Sequence, residues 1–166
     1  MFNTRKSSIL TGLLLLIGLM GAPFSTVSKA VSTPQPVQLS KSFSPGTASG
    51  TGVLLFTVPN GKRLIIETVT VRAAVPAGEE PSSSELLTNT TDPNPGIAAA
   101  PVGTVFHEML VLRQGLDVNG RGVFAGTHLI RAYSEPNTFV FFQFGRSGNT
   151  SGAEITVSLV GSLVDA

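Results

Sequence analysis

After residue 36 the chain alternates apolar and polar residues with a period of two, and no stretch of it repeats at helical spacing. Val37, Leu39 and Phe43 alternate with Gln38, Ser40 and Ser42, which predicts a strand ended by Ser44-Pro45-Gly46. Lys41 on its apolar side marks that strand as an edge, where a charge discourages pairing with another chain. The apolar run 53–58 and the long alternating stretch 63–75 flank Pro59-Asn60-Gly61, a turn chemistry that predicts a hairpin between them. In 63–75, strict alternation places Ile65, Glu67, Val69, Val71, Ala73 and Val75 on one face and Leu64, Ile66, Thr68, Thr70 and Arg72 on the other.

Four more strands are expected over 102–113, 123–133, 138–145 and 154–164, separated by stretches rich in turn formers. The last is the cleanest. Ile155, Val157, Leu159, Gly161 and Leu163 share one face, and Thr156, Ser158 and Ser162 the other. Phe139 and Phe141 point opposite to Phe142 and Phe144, so that strand is expected to be central and covered on both sides. A side of it left uncovered would be a contact in a homo-oligomer. Residues 76–101 keep no periodicity and carry serines, prolines and acidic residues, which predicts a long mobile loop with a short helical turn at 84–87. Taken together, the pattern predicts an all-β fold: an antiparallel β-sandwich of jelly-roll type with about seven or eight strands, or alternatively a β-barrel.

The first thirty residues follow a different plan. Arg5 and Lys6 precede an apolar run from Ile9 to Leu19, and Ser28-Lys29-Ala30 places small residues where a signal peptidase reads them. Residues 1–30 are therefore read as a secretory signal peptide cut between Ala30 and Val31, with 31–36 a flexible leader and 37–166 a single domain. A spanning helix needs about 20 apolar residues, so no stable membrane anchor is expected once the signal is removed. The implied localisation is exported from a bacterial cell, whether periplasmic, cell-surface or secreted.

Composition narrows the chemistry further. There is no cysteine, which removes disulfides, lipoprotein anchoring and thiol catalysis. About 135 residues suffice for an ordinary apolar core without staples. Removing Arg5, Lys6 and Lys29 with the signal leaves eight basic residues against ten acidic, with no cationic run to follow a phosphate backbone, so no nucleic acid is expected as partner.

The candidate chemistry is sparse. His107 and His128 are the two histidines, each within a predicted strand, and Glu67, Glu108 and Glu135 are the candidate carboxylates to join them in a metal site. The spacing matches no metal motif: a cupin-type barrel would need His-x-His, and here His107 is followed by Glu108-Met109. Gly-x-Ser-x-Gly is absent, and the glycine-rich stretch 115–126 lacks the lysine of a phosphate loop. No catalytic residue, metal or cofactor is assigned on this basis. His107, Glu108 and His128 stand as the candidate ligand-binding residues. The expectation is an exported, non-enzymatic binding or surface-interaction module whose specificity sits in loop 77–102, with a carboxylate- or metal-dependent exported enzyme as the alternative.

Overall fold

The structure is a computed structural model that describes residues 33–92 and 102–166. The signal peptide, the cut between Ala30 and Val31, and residues 93–101 of the expected loop lie outside the described residues. The described residues belong to one compact unit, Ser32–Ala166.

Among the described residues it has nine strands: β1 (Gln35–Phe43), β2 (Gly50–Thr57), β3 (Lys62–Val75), β4 (Pro81–Thr90), β5 (Val105–Glu108), β6 (Leu112–Leu116), β7 (Gly122–Ser134), β8 (Phe139–Arg146) and β9 (Glu154–Asp165). They form two antiparallel sheets, β1-β9-β3-β7-β6 and β2-β8-β4-β5, which do not close into a barrel. With the short β6 set aside, the chain changes sheet at every connection except β4–β5, which is the order of a jelly roll, so the expected β-sandwich is the observed fold.

The core lies between the sheets. Leu64, Ile66, Val69, Val71, Ile155, Val157 and Leu159 face Leu86, Val140, Phe142 and Phe144 across it, all of them nearly inaccessible to water. Strand β9 alternates as expected. In β3 a bulge between Ile66 and Thr68 shifts the register, so Leu64 and Ile66 face inward together with Val69 and Val71. Strict alternation had placed those two pairs on opposite faces. β8 runs between β2 and β4 and is buried on both sides, with Phe141 and Leu87 buried on the outer face of their sheet.

Four further expectations are corrected. The expected hairpin across Asn60-Gly61 does not form: β2 pairs with β8, and β3 pairs with β7 and β9. A two-residue hairpin turn needs positive φ at its first central residue or at both, but here only the second, Gly61, has it, at 69°. The turn, closed by Lys62 N–H donating to Pro59 O, splays the two strands into different sheets. Residues 81–90 are not loop or helical turn but strand β4, at the centre of the second sheet. Its hydroxyl side chains concealed it, because Ser84, Thr88 and Thr90 are buried where apolar residues would have revealed the alternation. The stretch 102–113 is two strands in different sheets. The chain crosses between them at Met109–Val111, where Met109 N–H donates to Ser84 O. The leader contributes as well: Gln35 and Pro36 already pair with Leu163 and Ser162.

Lys41 sits on the edge strand β1, and its Nζ donates to Leu54 O of β2 (2.6 Å), tying the edge of one sheet to the edge of the other. At one end of the sandwich Arg146 joins three loops. It donates to Gly46 O (2.9 Å) and Ala48 O (3.1 Å) between β1 and β2, to Glu79 Oε2 (2.6 Å) between β3 and β4, and to Thr150 O between β8 and β9.

Candidate functional site

The structure separates the residues singled out from the sequence. His107 lies on β5 in register with Leu86, and its Nε2 is 3.2 Å from Thr88 Oγ1. Glu108 is the next residue along the strand, so its side chain leaves from the opposite face, where it stands across from Glu85. His128 belongs to the other sheet, in register with Val69, and its Nε2 is 2.8 Å from Leu110 O. A carbonyl only accepts, so His128 carries its proton on Nε2 and staples the crossing chain between β5 and β6. A Cβ at Gly126 would overlap that same Leu110 oxygen, so only glycine lets the crossing segment lie this close to β7. Among the described residues no three His, Asp or Glu side chains gather as a metal site.

His107 instead helps to line a cavity of about 290 Å³ between the two sheets. One wall carries Thr88, Asn89 and His107, with Val105 beside them. The other carries Arg131, Tyr133 and Glu135, with Ala132 at its base. The strand order explains the opening. β6 pairs only with Gly122–Ala125, so among the described residues no strand pairs with the rest of β7 on that side, and Arg131 and Tyr133 sit along an edge that no strand covers.

The rear of the cavity is fixed by hydrogen bonds. Asn89 holds a left-handed backbone at φ 59°, a conformation uncommon outside glycine and concentrated at functional sites. Its N–H donates to Ser134 Oγ (3.2 Å), and its Oδ1 accepts from Glu135 N–H (2.8 Å). Thr138 Oγ1 donates to Glu135 O (2.6 Å) and lies 2.8 Å from Ser134 Oγ. The Glu135 carboxylate is occupied from behind by Arg63, whose Nε and Nη2 both donate to Oε2 at 3.1 and 3.0 Å.

The electrostatics of the lining groups follow from these partners. Burial pushes the His107 imidazole below its ordinary value, so the ring is neutral at neutral pH. Glu135 is balanced by Arg63. Arg131 has no ion pair among the described residues. The residues around the cavity therefore include one arginine without an ion pair among the described residues, a tyrosine, a threonine and a histidine.

Of these groups, His107 and Glu135 were within reach of the sequence as titratable residues. Asn89, Arg131 and Tyr133 were not, because no local spacing links them. Arg131 and Tyr133 alternate on one strand, but they meet His107 only because β5 and β7 belong to facing sheets. Comparison with known proteins finds no family model that matches the chain and no matching curated protein.

Proposed function

We propose that this protein is an exported, non-enzymatic binding module, and that it takes its ligand in the cavity between β4–β5 and β7. The observation that carries this reading is the convergence of His107, Arg131 and Tyr133 from two sheets onto one cavity whose rear is held by the Asn89 hydrogen bonds. Pockets of this kind, with a few polar groups on a preformed wall, are the common form of small-molecule sites. Among the described lining residues no general acid–base pair is brought together, which supports binding over turnover: the His107 partner is the Thr88 hydroxyl, and the Glu135 carboxylate is bound by Arg63. Export rests on the order of charge, apolar run and small residues in 1–30.

Two measurements test the two halves. Mass spectrometry of the protein recovered from its producing cell should give an N-terminus at Val31, whereas an intact Met1 terminus would overturn export by this signal. For the cavity, a thermal-shift screen of glycans, envelope fragments and metal ions should yield a compound that raises Tm saturably. Tyr133→Ala should abolish that shift while leaving unfolding cooperative. Conversion of the bound compound into product would overturn the non-enzymatic reading.

A further inference from the structure

The cavity also constrains the kind of molecule it would hold. Its volume of about 290 Å³ is at the small end for ligand sites, which limits the occupant to the scale of one sugar or one aromatic ring. The two walls differ in charge. On the β4–β5 side, Thr88, Asn89 and His107 present only neutral polar groups. On the β7 side, the negative charge of Glu135 is held by Arg63, whereas Arg131 has no carboxylate partner among the described residues.

We propose that the cavity selects small ring compounds bearing a carboxylate, with Arg131 pairing with the carboxylate and Tyr133 packing against the ring. This rests on the cavity being a binding site, as argued above. A guanidinium presents two parallel N–H donors that match the two oxygens of a carboxylate, and the pair is strongest where water is partly excluded. A phenol ring gives the body of such a ligand an apolar face, and the Thr88 hydroxyl and His107 ring supply directional hydrogen bonds opposite it. A single cation suits one carboxylate. A phosphate group, with its greater charge, is usually met by more than one cation, and among the described lining residues Arg131 is the one arginine or lysine.

The test is an amide-resolved NMR titration of the purified protein with matched probes: glucuronate and benzoate as the carboxylates, glucose and benzyl alcohol as their neutral counterparts, and inorganic phosphate. Saturable shifts at Thr88, His107 and Tyr133 are expected with a carboxylate and not with its neutral counterpart. Arg131→Gln should weaken that binding at least tenfold. Arg72→Gln, which removes the same charge from the outer face of β3, should leave it unchanged. If neutral and carboxylated probes bind the cavity equally, or Arg131→Gln has no effect, the carboxylate preference is overturned while the cavity remains a binding site. Phosphate binding as tightly as the carboxylates would likewise overturn it. If no probe in the panel moves the cavity resonances, the carboxylate proposal falls. If the broad thermal-shift screen is also empty, the binding reading falls with it.

Discussion

Arg146 Nη1 lies 2.6 Å from Glu79 Oε2, and the two side chains are 0% and 8% exposed. The carboxylate's other oxygen accepts from Thr150 N–H (2.8 Å), so this one pair holds the β3–β4 and β8–β9 loops together, and the remaining Arg146 donors hold the β1–β2 loop. A buried pair of this kind is costly to break from one side, because the remaining charge is left without a partner. Arg146→Met should therefore destabilise the protein by about 3 to 5 kcal/mol in urea unfolding. Replacing both Arg146 and Glu79 by Met should recover part of that loss. A double variant as unstable as the sum of the two single variants would show that the pair does not act as a unit.

Acid should weaken the fold, with a sign that follows from three groups. Burial alone would raise the Glu79 carboxyl, but hydrogen bonds from Thr150 and the Arg146 charge outweigh it and hold the group below its ordinary value. Asp117 is lowered chiefly by the Arg121 backbone N–H, against a smaller desolvation effect, with the Arg121 guanidinium and the Asn119 N–H adding to it. For both, the unfolded chain takes up protons first as pH falls. Their contribution is complete above the ordinary carboxylate range and is lost through the lowered folded values. His107 acts in the same direction at higher pH, losing its contribution as pH falls from its ordinary value of 6.5. Urea midpoints taken from about pH 8 to about pH 3 should fall in two stages. His107→Gln should remove the upper stage, and Asp117→Asn should flatten the lower one. A midpoint that rises on acidification would contradict all three assignments.

Leu159 and Ser158 are neighbours on β9 with opposite surroundings. Leu159 is fully buried in the core, whereas Ser158 faces out and its hydroxyl donates to Ser40 Oγ (2.8 Å) on the outer sheet face. Leu159→Ala should cost about 2 to 5 kcal/mol, and Ser158→Ala less than about 0.5. Chemical denaturation of the two variants checks this, and a reversed order would mean that the strand register is wrong.

Gly126→Ala should be destabilising by about 1 to 3 kcal/mol although it adds a single methyl group, because that methyl overlaps the Leu110 carbonyl oxygen. The crossing between β5 and β6 should lift from β7 and release the bond to His128. Faster hydrogen exchange at Leu110–Leu112 in the variant is the expected signature. Unchanged exchange and stability would mean the close approach does not matter.

The sequence was most legible where burial and alternation coincide. β9 reads correctly because each inward residue is apolar or glycine, and the phenylalanines on both faces of β8 announced a central strand. Legibility failed where polar side chains are buried. Ser84, Thr88 and Thr90 made the central strand β4 look like loop, so specificity was assigned to a span that holds part of the second sheet. Deleting 77–102 would therefore remove a strand rather than test a binding loop. The Asn60-Gly61 turn misled for another reason: turn chemistry states that the chain reverses, but not whether the next strand joins the same sheet. The cavity was the least legible feature, since Asn89, His107 and Arg131 meet only after the two sheets have packed.

The place of β9 has a consequence for the order in which the fold assembles. It lies between β1 and β3, bonded to both, and its contact between Ser158 and Ser40 joins residues 118 positions apart. Until this strand arrives, β1 has no partner in its sheet, and the inner face of β3 lacks Ile155, Val157 and Leu159 beside it. Pairings so distant in sequence are slow to form, because the loop must close before any contact rewards it. A chain emerging N-terminus first can therefore pair β4 with β5 and β6 with β7 early, but it leaves β1 a loose end and the five-stranded sheet unfinished until β9 is free.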